Sequence, residues 1–234
     1  MAARRSSAGF TLVELLVALF AMALLAVLSW RGLDGMTRAQ EQTQTRSDDV
    51  LALQVGLQQW AADLDAIIEW PRPATLDWNG RVLRIVRSSG TAPGDGVIVA
   101  AWTRRISDSG GTWLRWQSAP ALTREQLDQA WQDADLWSQN QGDARRQGEV
   151  AVTPLADWQV FYFRGNAWTN PQSSADTSVV QPAQLPGSAA QPATPIANQL
   201  PDGVRLVLTL PAGQPITGTL TRDWVRPTLT RRRQ

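Results

Sequence analysis

The chain has 234 residues, with 22 basic and 21 acidic side chains and a net charge of +1; every basic residue is Arg. That balance gives no overall pull toward nucleic acid. The absence of Cys and His excludes disulfides, Ser-His-Asp and Cys-His catalysis, His metal sites and imidazole pH switches, so few enzyme classes remain.

The first nine residues, Met1 to Gly9, are short, basic and polar, and an apolar run follows from Phe10 to Trp30. Roughly 20 helical residues at about 1.5 Å each cross a bilayer core of about 30 Å, so residues 10–30 are long enough to span one. Arg4 and Arg5 favour a cytoplasmic N-terminus, which places everything after Trp30 outside the cytoplasm. An ordinary secretory signal carries small residues after its apolar run; here the small residue, Gly9, precedes it. Glu14 sits inside the run, where a charge costs at least about 2.5–3.5 kcal/mol and calls for a partner. A plain single-pass anchor that tolerates a Glu explains neither the leader nor Glu14.

The segment Gly9-Phe10-Thr11-Leu12-Val13-Glu14-Leu15 resembles the processing signal of type IV prepilins and type II secretion pseudopilins. The resemblance implies a prepilin peptidase that cuts between Gly9 and Phe10 and methylates the new amine of Phe10. It also implies that Glu14 pairs with the N-terminal amine of a neighbouring subunit during assembly.

Beyond the polar stretch Arg38–Asp49, apolar residues recur at Val50, Leu53, Leu57, Trp60, Leu64 and Ile67. Spacings of three and four predict one helical stripe packed against a sheet, with Gln54, Gln58, Gln59, Asp63 and Asp65 off it. Pro71 and Pro73 are expected to stop the helix, making 31–69 an amphipathic stalk. A continuous helix from Phe10 to about Glu69 would run about 90 Å. Gly32 and Gly35 mark either a bend or local melting, or two tolerated surface positions.

Residues 70–234 read as a β-rich head. Strands are predicted at Arg81–Arg87, Val97–Thr103 (a buried central strand), Thr112–Gln117, Glu149–Val152, Trp158–Arg164 and from Gly203, with a returning strand whose apolar face is Ile216, Leu220 and Trp224. Thr123-Arg124-Glu125-Gln126 fits a capping box that opens a helix to Trp137. Residues 170–199, rich in Pro, Ser, Ala and Gln, read as a mobile loop, and Arg231–Arg233 as a solvated tail. The fold class is therefore α+β: a long N-terminal helix, half transmembrane and half amphipathic, on an antiparallel sheet head. Pilin-like proteins have this architecture, which the resemblance therefore also implies.

The acidic pairs Asp48/Asp49, Asp63/Asp65 and Asp133/Asp135 match no calcium loop and read as solvated faces, so no metal or cofactor is expected. Nor does any motif support a two-carboxylate glycosidase, and no enzyme activity is expected. Trp60, Trp102, Trp113, Trp116 and Trp158 read as core; Trp78, Trp131, Trp137 and Trp168, near loops or on the short helix, are candidates for a protein or sugar interface.

Several segments resemble the minor pseudopilin J family of type II secretion: Leu53–Leu64, the Trp158–Trp168 strand-turn-Trp stretch, and Leu200-Pro201-Asp202-Gly203-Val204-Arg205-Leu206. Removing nine of 234 residues leaves 225, more than a usual major subunit has. The long Pro/Ala loop departs from the family pattern. The resemblance implies a structural subunit of the bacterial inner membrane with its C-terminal domain in the periplasm. Its partners would be the other minor pseudopilins, the major pseudopilin, the prepilin peptidase and the inner-membrane assembly platform; no nucleic acid is expected. The same N-terminus also fits a minor pilin of a type IV pilus, serving adhesion, twitching or DNA uptake, or a pilin-anchored adhesin that binds glycans.

Overall fold

A computed structural model describes residues 10–69, 74–90, 94–108, 110–140, 147–174 and 200–227. The leader with Gly9, Pro71, Pro73, residues 175–199 of the expected loop and Arg231–Arg233 lie outside the described residues. The chain divides into two compact units, up to Asp48 and from Asp49 onward. Helix α1 is Leu12–Asp65.

In the first unit the apolar side chains from Phe10 to Met36 are exposed, and α1 is long and apolar enough to cross a membrane. Gly32 and Gly35 remain helical, and a Cβ at either would meet nothing within 4 Å. They are tolerated surface positions and not a melted junction. The polar stretch is helical too. Thr37, Thr43, Thr45 and Ser47 each donate a hydroxyl to the carbonyl four residues back, at 2.9–3.0 Å, so these side chains satisfy themselves on the helix.

In the second unit α1 ends at Asp65, before Pro71. Ile67 leaves the helix to bridge Arg87, with Ile68 N–H donating to Val86 at 3.2 Å and Ser88 N–H to Ala66 at 3.0 Å. Pairing with a strand, and not proline, ends the helix. The strands are β1 (Leu76–Trp78), β2 (Val82–Ser88), β3 (Val97–Ser107), β4 (Gly110–Gln117), β5 (Val150–Pro154), β6 (Asp157–Arg164), β7 (Ala167–Thr169), β8 (Gly203–Leu210) and β9 (Gly218–Val225). Helix α2 is Arg124–Ser138 and α3 is the single turn Pro171–Ser174.

The described residues of the head form two antiparallel sheets where the sequence suggested one: β1-β2-β3-β4-β5 and β7-β6-β8-β9. The switch occurs over two residues. Leu155 N–H donates to Gly111 at 2.8 Å, beside the first sheet, and Ala156 N–H donates to Thr209 at 2.8 Å, in the second. Gly165 and Asn166, with φ of 54° and 74°, close the two-residue β6–β7 hairpin with the left-handed conformations its twist requires.

Period-two alternation gives the first sheet two apolar faces. Leu83, Ile85, Ala100, Trp102 and Trp113 share a core with Leu53, Trp60 and Leu64 of α1 and with Trp158, Val160, Val204, Leu206, Leu208 and Trp224 of the second sheet. Val82, Val86, Val99, Ala101, Leu114 and Trp116 face α2 through Leu127, Ala130, Ala134 and Trp137. Thr123 and Gln126 form the capping box that starts α2. Trp78 and Trp137 are buried at 7% and 1% exposure, so they are core and not interface residues. Trp78 packs edge-on to Trp158, with centroids 4.6 Å apart, and joins the two sheets. Ile216 lies before β9 and is exposed; only Leu220 and Trp224 serve the inner face.

Gly56 lets α1 pack directly against Val152 and Trp113 of the first sheet. A Cβ there would overlap Val152 Cγ1 and press on Trp113 at 3.3 Å. Gly56→Leu is expected to destabilise the head by about 1–3 kcal/mol through overpacking, despite its better helix propensity. A lowered urea midpoint at unchanged slope would be the readout.

Candidate functional site

Thr11 and Glu14 form a closed pair at the start of α1. Thr11 N–H and Thr11 Oγ1–H both donate to Glu14 Oε2 at 2.9 Å, and Glu14 N–H donates to Thr11 Oγ1 at 3.3 Å. Thr11 caps the helix and Glu14 returns the bond from its first turn, a reciprocal capping box. Glu14 Oε1 receives no hydrogen bond from the described residues. One carboxylate oxygen therefore holds the helix end and the other is open, on a helix whose neighbouring side chains are apolar. Phe10, the first described residue, is 89% exposed.

Of the expected stripe, Leu53, Trp60 and Leu64 are buried, Val50 and Leu57 are half-buried, and Ile67 is half-buried beyond the helix in its bridge to Arg87. The stripe does not act alone. Asp63, expected on a solvated face, has 0% exposure. Arg115 grips it with Nε to Oδ2 at 2.9 Å and Nη2 to Oδ1 at 2.8 Å. Trp102 Nε1–H donates to Oδ2 at 2.9 Å, and Gln59 Nε2–H to Oδ1 at 2.9 Å. Arg87 Nε lies 3.1 Å from Oδ1 as a charge contact, outside hydrogen-bond alignment. A buried carboxylate is tolerable when it is bonded and charge-paired in this way.

Asp65 does the same for the second sheet: its Oδ1 accepts from Trp224 Nε1 at 2.8 Å. The last turn of α1 is thus tied to the first sheet by Asp63 and to the second by Asp65. Asp135 also has a structural partner, accepting from Asn79 Nδ2 at 3.0 Å between α2 and the β1–β2 turn. Among the described residues no group of three or more Asp, Glu, His or Cys side chains is placed to hold a metal ion.

Trp131 is half-buried with the Arg84 guanidinium 4.5 Å over its ring, and Trp168 is half-buried too. The Arg205 guanidinium covers its ring at 4.2 Å and Phe163 lies 5.2 Å away. Arg205 also forms two 2.7 Å bonds to Asp223, which hold that carboxyl below its ordinary range. The stabilisation is present above the ordinary carboxylate pKa and fades as pH falls through the lowered one; at this exposed site it is small.

Residues 4–30 match the family model described as Prokaryotic N-terminal methylation motif, a span that contains Gly9, Phe10, Thr11 and Glu14. No curated protein matches the chain. The long N-terminal helix followed by antiparallel sheets is an α+β, pilin-like architecture. Motif and apolar helix together support a type IV prepilin-like protein of the pilin or pseudopilin type, compatible with a single-pass membrane anchor.

Proposed function

We propose that this chain is a structural, non-enzymatic minor pseudopilin, similar to the J subunit of type II secretion. It joins a tip complex that primes assembly of a short periplasmic filament used to export folded proteins. Cleavage after Gly9 and methylation of Phe10 by prepilin peptidase release the subunit for assembly. Residues 10–30 hold it in the inner membrane with the head in the periplasm.

The observation that carries this is Glu14: a carboxylate on an exposed apolar helix, inside the methylation motif, with Oε1 open. In lipid an ammonium from a neighbouring N-terminus satisfies it at once, and no group of the described chain does so. Before assembly the Thr11 capping box shields part of the charge, which lowers the cost of waiting in the membrane. The ties from Asp63 and Asp65 suit a subunit pulled through its helix, because they couple the helix end to both sheets.

Gly9→Val is expected to leave a membrane-inserted precursor about nine residues heavier and inactive in assembly, as seen by intact mass. In a deletion strain, loss of exoprotein release with surface pili intact supports the pseudopilin role. Loss of pili or twitching with release intact contradicts it.

A further inference from the structure

We propose that the outer edge of β9 is a docking strand for an extended segment of a partner polypeptide carrying a carboxylate opposite Arg222. Ala156 N–H donates to Thr209, so Thr209 turns its peptide groups toward β6, and Leu208 and Leu210 turn theirs toward β9. Leu208 pairs with Leu220 and Leu210 with Gly218. With period two, Arg222 and Trp224 also turn inward, in agreement with Arg226 N–H donating to Asp202. The outward N–H and C=O groups are therefore those of Thr219, Thr221, Asp223 and Val225. All four residues are exposed, and no strand among the described residues pairs with them.

The other sheet edges are blunted. β1 and β7 have three residues each; β5 has five, including Pro154, and its pairing with β4 is broken by a register shift at Trp113/Leu114. β9 keeps an unbroken eight-residue register with no Pro. Its charges, Arg222 and Asp223, leave the backbone groups open, so the edge can take an added strand but only a selected one.

Arg222 selects the occupant. It lies on the face shared by Leu220 and Trp224, is exposed, and has no partner among the described residues. The two equally overlapped antiparallel registers of two β9 strands set Arg222 opposite Arg222, a like-charge contact, or opposite Leu220, so a second copy gives it no counter-charge in either. A foreign strand with Glu or Asp at that position supplies the counter-charge as a cross-strand ion pair.

The test is amide hydrogen exchange of the full chain in detergent micelles, with and without a millimolar end-blocked peptide Thr-Val-Thr-Glu-Thr-Val-Thr. The expected result is about tenfold slower exchange at Thr219, Thr221, Asp223 and Val225, with Leu220, Arg222 and Trp224 unchanged because β8 already holds them. The same peptide with Lys for Glu protects weakly, and Arg222→Glu reverses that order. No slowing with either peptide, or equal slowing by both, overturns the proposal. So does protection without peptide in a chain that sediments as a dimer, which gives the edge to a second copy.

Discussion

Asp63→Ala is expected to destabilise the head by about 3–5 kcal/mol, a large part of the stability of an ordinary domain. The substitution removes the acceptor for Arg115, Trp102 and Gln59 and the charge beside Arg87, all at a site with 0% exposure. Two guanidinium groups are then left without their counter-charge, and that penalty exceeds the loss of any single bond. Asp63→Asn keeps the shape but not the charge and is expected to recover little. Pairing Asp63→Leu with Arg115→Leu is expected to recover more, since apolar replacement of a buried ion pair is often neutral. Urea unfolding followed by Trp fluorescence measures all three. A loss under about 1 kcal/mol for Asp63→Ala would show that the network does not hold α1 to the sheet.

Glu14→Val is expected to raise the level of inserted protein while reducing assembly about tenfold or more. Insertion becomes easier by the roughly 2.5–3.5 kcal/mol that a carboxylate costs in lipid. Losing the reciprocal bond to Thr11 frays the helix start by about 1 kcal/mol, too little to unfold a long apolar helix. What disappears is the acceptor for a neighbouring amine. Measured together, membrane level and filament-dependent secretion separate the two effects. Full secretion by Glu14→Val would remove the charge-pair role.

The parts legible in the sequence were those fixed by near neighbours. Glu14 stands out because its apolar surroundings are contiguous, and Thr123-Gln126 because a capping box spans four residues. β3 and β6 follow from apolar runs and alternation. Asp63 was not legible. It falls off the stripe spacing, and Trp102 and Arg115 lie 39 and 52 residues away, so its burial is decided by distant partners. The helix end was misplaced for a related reason: the edge of β2 takes up Ile67 before Pro71 acts. The division into two sheets hangs on Leu155 and Ala156 choosing different partners, and no local pattern records that choice. Trp78 was misjudged because β1 is too short to show alternation.

Intact mass and N-terminal peptide analysis of the protein recovered from cell membranes test the central claim most directly. A chain starting at Phe10 with one methyl group on its amine is the predicted result. A chain still starting at Met1 would contradict the account and leave a membrane-anchored domain with no route into a filament.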